Sequence, residues 1–191
     1  MKRFSMVAYT GTPIKSYFWG ELYIDIQGIS ALSRLPALRE HIRDRAVGVV
    51  DHLSKSGQLL AQGYFLDTPD ATECKSLMAQ GYPWQASVGI FPETVEELKK
   101  GEQALVNGAK VEGPAAIFRT SHLGEISFVS LGADNQTSIS VAASAQAARS
   151  EWDQSQELRT SFNHNFAAYA AFKRAEQAGL VTIVTGKTVK G

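Results

Sequence analysis

The chain has one cysteine, four histidines and no surplus of charge of either sign, and each scarcity removes a class of function. A lone thiol, Cys74, can neither close an internal disulfide nor supply a cysteine-based zinc site, and it fits a reducing compartment. The histidines stand at 41, 52, 122 and 164 without metal-ligand spacing. Lys plus Arg and Asp plus Glu number 19 each, so no net field draws the chain to nucleic acid or an anionic membrane surface, and neither is expected as a partner. No apolar run approaches the roughly 20 residues of a membrane span, and the start, Met1-Lys2-Arg3-Phe4, lacks the apolar stretch of a signal peptide. A soluble, intracellular protein is expected.

What is present is enough apolar material, 44% of 191 residues, for one core with an appendage. Short apolar runs separated by turn signals dominate the first three quarters and predict a sheet-rich barrel or sandwich with antiparallel strands. Strands are expected at 17–26, 46–53, 58–66, 115–120, 125–131 and 137–142, the second and third joined across Ser54-Lys55-Ser56-Gly57. Asn107-Gly108 is the strongest hairpin signal, because a tight primed turn needs positive φ at both central residues. Helices are expected at 32–43 and at 71–80, the latter capped by Asp70 and stopped by Gly81. From Ala143 onward the composition shifts to Ala, Gln, Ser and charged residues, and Leu158, Phe162, Phe166 and Tyr169 mark a helical stripe.

One strand carries a candidate for chemistry. In Trp84-Gln85-Ala86-Ser87-Val88-Gly89-Ile90-Phe91, alternation gives Trp84, Ala86, Val88 and Ile90 to the core and leaves Ser87 on the opposite face. Gly89, two positions on, leaves a notch beside the hydroxyl that a peptide backbone could enter. A serine hydroxyl needs a base within hydrogen-bond reach and usually a third group to orient that base. His41, His52, His122 and His164 are candidate bases; Glu125, or a second histidine, is a candidate orienting group. In Glu125-Ile126-Ser127-Phe128-Val129, Ile126 and Phe128 take one face and Glu125 and Ser127 the other. The plainer alternatives are a solvent-face serine, a histidine near a helix C-terminus, and a glutamate paired with Arg119 or Lys110.

The run His41-Ile42-Arg43-Asp44-Arg45-Ala46-Val47-Gly48 resembles the "His, three residues, Arg, two residues, Gly" signature of the phage prohead (head-maturation) serine proteases, relatives of the herpesvirus assemblins. Ser87-Val88-Gly89 is similar to the family's nucleophile strand, and Leu123-Gly124-Glu125-Ile126-Ser127-Phe128-Val129 to its closing core strand. The resemblance spans about 4–143. It implies an α+β fold, a mainly antiparallel β-barrel of about six to eight strands with flanking helices and a C-terminal helical tail. Residues 1–143 would be the catalytic domain, and 144–191 a tail that binds scaffold or is removed by self-cleavage in the small-residue run Val141-Ala142-Ala143-Ser144-Ala145-Gln146-Ala147-Ala148.

The same resemblance implies a serine endopeptidase with Ser87 as nucleophile, His41 as base and Glu125 as third member, and no cofactor. His122 competes for the third role, since assemblins use a second histidine there. Ile42 stands where the family commonly has Asp, which weakens a local hydrogen bond without excluding catalysis and is the one feature that favours an alternative, a non-enzymatic capsid-assembly or scaffolding protein on a protease-like barrel. A further alternative is a β-barrel binding protein with an interior pocket. The implied substrates are the phage major capsid and scaffold proteins and the chain itself, inside the procapsid in the host cytoplasm; a homo-oligomer is compatible with this.

Overall fold

In the computed structural model, which describes residues 2–142, twelve strands and one helix follow one another. The first strands are β1 (Arg3–Tyr9), β2 (Ile14–Ser16) and β3 (Gly20–Ile24), and a single 3-10 turn, Ile26–Gly28, leads to β4 (Ile29–Ala31) and β5 (Leu35–Arg39). Then come β6 (Ile42–Ser56), β7 (Gln58–Phe65), α1 (Pro69–Ala79) and β8 (Gln85–Leu98). The ribbon β9 (Gln103–Val106) and β10 (Ala109–Glu112) precedes β11 (Ala115–Val129) and β12 (Ser138–Ala142). The tail expected at 144–191, with its stripe and cleavage run beyond Ala142, lies outside the described residues.

Ten strands form one sheet along the path β12-β1-β7-β6-β5-β11-β3-β2, with β4 and β8 also pairing β11. The path has two ends, so the sheet is open rather than a closed barrel, and it holds more strands than expected. Nor is it wholly antiparallel: β11 runs parallel to β3, β4 and β5, and antiparallel to β8. The predicted pairing of β6 with β7 and the Asn107-Gly108 hairpin are present, with φ of 50° and 81° at those two residues. The run at 17–26 is strand only over Gly20–Ile24, because 17–19 form a turn.

The helix expected at 32–43 is absent. That segment is β5 and a two-residue turn into β6, with Arg39 opposite Ile42. Its local spacing suits a helix, but Leu35, Ala37 and Leu38 gain a place between β6 and β11, and tertiary pairing overrides local preference. Helix α1 forms as expected, but Thr68 is its cap, accepting from Ala71 N, while Asp70 turns to arginines.

Two glycines let an aromatic core close. Phe4 meets Phe65 and Phe128 edge-on, at centroid distances of 5.1 and 5.3 Å, and Trp84 lies 6.4 Å from Phe128. Gly48 and Gly63 lie beneath Phe4; a Cβ at Gly48 would come within 2.8 Å of its ring and 2.5 Å of the Tyr64 carbonyl. The glycine of the His41 motif is therefore a packing requirement. The motif's Arg45 donates from Nε to Asp70 Oδ1 at 2.9 Å and ties β6 to α1, where Arg39 also binds Asp70 and Glu73. Arg45 and Arg39 hold the Asp70 carboxyl below the usual carboxylate range.

Candidate functional site

The polar face of the β8 and β11 pair is set by register. Ser87 lies directly opposite Ser127, and Gly89 opposite Glu125. Opposed residues of an antiparallel pair point to the same side with Cβ atoms about 4.5–5.5 Å apart. The other side is core, as expected: Trp84, Ala86, Ile126 and Phe128 are buried, with Val88 and Ile90 packed against them. A bulge at Gly124 shifts the phase of β11, so that Leu123 and Ile126 both face the core and Glu125 emerges on the polar side.

The turn between β5 and β6 brings His41 over this face. Its backbone N–H donates to Ser127 Oγ at 3.2 Å, and its ring Nδ1 lies 2.7 Å from Glu125 Oε1. The second carboxylate oxygen, Oε2, accepts from Ser127 Oγ–H at 2.6 Å. Glu125 is thus held at both oxygens, and its side chain is 15% exposed against 44% for His41. The hydrogen bond to Glu125 is the main reason that the His41 pKa is raised, with partial burial opposing it and the charges of Glu125 and Glu40 adding to it. With Nδ1–H donated to a carboxylate, the neutral ring keeps its lone pair on Nε2, the arrangement of a general base.

Gly89 does what its neighbours require, but not as expected. Its notch is filled by the Glu125 side chain, whose carboxylate a Cβ there would overlap, so no peptide backbone enters at that point. The missing side chain admits the orienting carboxylate instead.

His41, Glu125 and the strand carrying Ser87 are brought together; among the described residues the competitors His52 and His122 lie elsewhere along β6 and β11. His122 approaches Ser30 Oγ, 3.3 Å from Nδ1. His52 lies eleven residues further along β6, about 35 Å of strand contour away, and His164 is outside the described residues. Arg119 pairs with Glu96 and Asp25, so it is not the partner of Glu125. Among the described residues no hydrogen bond joins the Ser87 hydroxyl to the His41 ring, and no cluster suited to a metal ion is found.

Two residues escaped the sequence reading. Ser127, fully buried, links Glu125 to the His41 backbone; its signal was the i, i+2 spacing from Glu125. Ser87 is only partly buried, which makes it the accessible hydroxyl of the opposed serine pair. Glu40 is the other, and nothing in the local sequence marks it.

No family model and no curated protein matches the sequence. Solved structures do. The protease of Kaposi's sarcoma-associated herpesvirus, crystallised with a hexapeptide phosphonate inhibitor, is similar at a TM-score of 0.50 and 14% identity, over 88% of this chain and 77% of that one. The same protease with a dimer disruptor aligns at a TM-score of 0.46 and 14% identity, over 88% and 90% of the two chains. The first of these likenesses supports an assemblin-like fold for this chain.

Proposed function

We propose that the chain is a serine endopeptidase of phage head maturation, which cleaves scaffold or capsid protein, and itself, inside the procapsid. The observation that supports this best is the His41 to Glu125 pair, fixed through Ser127 directly across from Ser87. In this reading His41 Nε2 takes the Ser87 proton as Oγ attacks a peptide carbonyl, and Glu125 stabilises the imidazolium that forms. The same proton passes to the leaving amine, and water then releases the acyl group from Ser87. The motif resemblance supports the phage setting, and confinement in the procapsid would restrict the protease to its substrates.

A second reading, a capsid-assembly protein on a protease-like sheet, is favoured by the absence of a Ser87 to His41 hydrogen bond among the described residues and by Ile42, which is 42% exposed. Apo sites commonly tighten only on binding substrate, which weakens that objection. A binding protein with an interior pocket has less support: a cavity of about 370 Å³ lies at the surface, lined by α1 residues Lys75 and Met78 and by β12 residues Ile139 and Val141. Coexpression with the adjoining capsid gene separates the first two readings. Ser87→Ala should abolish capsid-protein processing with the fold intact; undiminished processing excludes Ser87 as nucleophile, and no processing by the wild type favours the assembly role.

A further inference from the structure

The turn that carries His41 is strained. Glu40 and His41 have φ of 52° and 58°, in the left-handed region. A non-glycine residue there costs about 1–2 kcal/mol, and while histidine is among the residues found there more often, glutamate is not. Such a turn persists only when its surroundings over-determine it.

Here they do. Glu40 N–H donates to the Phe128 carbonyl at 2.9 Å, and His41 N–H donates to Ser127. The Glu40 carboxylate oxygen Oε1 accepts from both Ser130 N–H and Ser130 Oγ–H, each at 2.8 Å. Ser130 Oγ in turn accepts from the Tyr82 hydroxyl at 3.0 Å, beyond the end of α1. Every donor in this network has one acceptor, and these backbone and carboxylate bonds of the turn end on residues 127–130 of or just beyond β11, the strand that also supplies Glu125 to the His41 ring.

We propose that Glu40 is a positioning residue: clamped on Ser130, it fixes the left-handed turn so that His41 presents Nδ1 to Glu125 and keeps Nε2 for Ser87. This rests on the peptidase reading for its consequence, but the clamp itself can be observed without any activity. The alternative is that only the backbone angle matters, in which case glycine, which adopts positive φ freely, should serve as well as glutamate.

Two variants separate these. Glu40→Gly keeps the turn and removes the clamp; Glu40→Gln keeps an acceptor oxygen. The first readout is the proton resonance on Nδ1 of His41 in isotope-labelled full chain, which lies far downfield when bonded to a carboxylate. The second is inactivation by an alkyl fluorophosphonate, divided into kinact and KI. The clamp predicts that Glu40→Gly loses the resonance and about tenfold to thirtyfold in kinact, the scale of one charge-assisted contact. KI should stay within twofold, and Glu40→Gln should recover most of the rate. Should Glu40→Gly not fold, Ser130→Gly, which retains the N–H, should lower kinact about threefold to fivefold. Wild-type kinact with an intact resonance in Glu40→Gly overturns the proposal. A resonance lost in Glu40→Gly, in a chain whose wild type the phosphonate does not label, supports the clamp and overturns the peptidase reading.

Discussion

Among the described residues, two turns place consecutive residues in the left-handed region, and they do so by opposite means. Asn107-Gly108 joins β9 to β10 with residue types that accept positive φ, and Asn107 adds bonds of its own: Oδ1 accepts from Ile26 N, and Nδ2 donates to the Ile24 carbonyl at 2.8 Å. Glu40-His41 joins β5 to β6 with residues that local preference would not choose, and relies on hydrogen bonds to residues 127–130. The first turn serves the fold. The second tolerates strain to hold an imidazole over the Ser87 strand, which is where stored backbone strain is expected to collect.

The sharpest way to break this contrast is to write the first turn into the second. Replacing Glu40 and His41 together by Asn and Gly should leave the chain folded, with a thermal midpoint within a few degrees of wild type, because relieved strain offsets the lost clamp. Fluorophosphonate labelling should fall by about 10² to 10⁴, the scale of general-base catalysis. Next in size is Gly89→Ala. Its new methyl would displace the Glu125 carboxylate from His41 and should reduce kinact about tenfold to a hundredfold while circular dichroism is unchanged. On the other side, Asn107→Ala should cost about 2–3 kcal/mol in denaturant unfolding, from lost bonds and an ill-suited φ, with kinact at low temperature unaltered.

The smallest effect is on pH dependence. Glu125 raises the pKa of His41, and only the neutral ring can act as base. Activity should therefore rise with pH through a midpoint above the ordinary histidine value of about 6.5, and Glu125→Gln should move that midpoint down along with the maximal rate. The linked stability has the opposite sense. Protonated His41 favours the folded state below about pH 6.5, and this contribution is lost as pH rises through the raised pKa; unfolding of Ser87→Ala protein across that range would measure it.

Much of the site was legible because strand periodicity is local. Alternation alone placed Ser87 on the polar face and Glu125 beside Ser127, and the Asn107-Gly108 hairpin followed from φ preferences. The segment at 32–43 differs from expectation because its pattern suits a helix, whereas one strand partner, β11, is remote in the chain, and the turn to the other, β6, is built of Glu40-His41, which turn preferences do not mark. The parallel pairings of β11 and the role of Gly89 as a seat for a carboxylate also depend on register between remote strands, which no local pattern encodes. Arg45 and Gly48 stood in the motif from the start; only the packing of α1 and Phe4 gives them reasons.

The most direct test of the account is to map the site of fluorophosphonate attachment by mass spectrometry of the full chain, wild type beside His41→Ala. The account predicts one adduct, on Ser87, formed in the wild type and slowed by about a hundredfold or more in His41→Ala. An adduct on another residue, or equal labelling of Ser87 in both proteins, would contradict it.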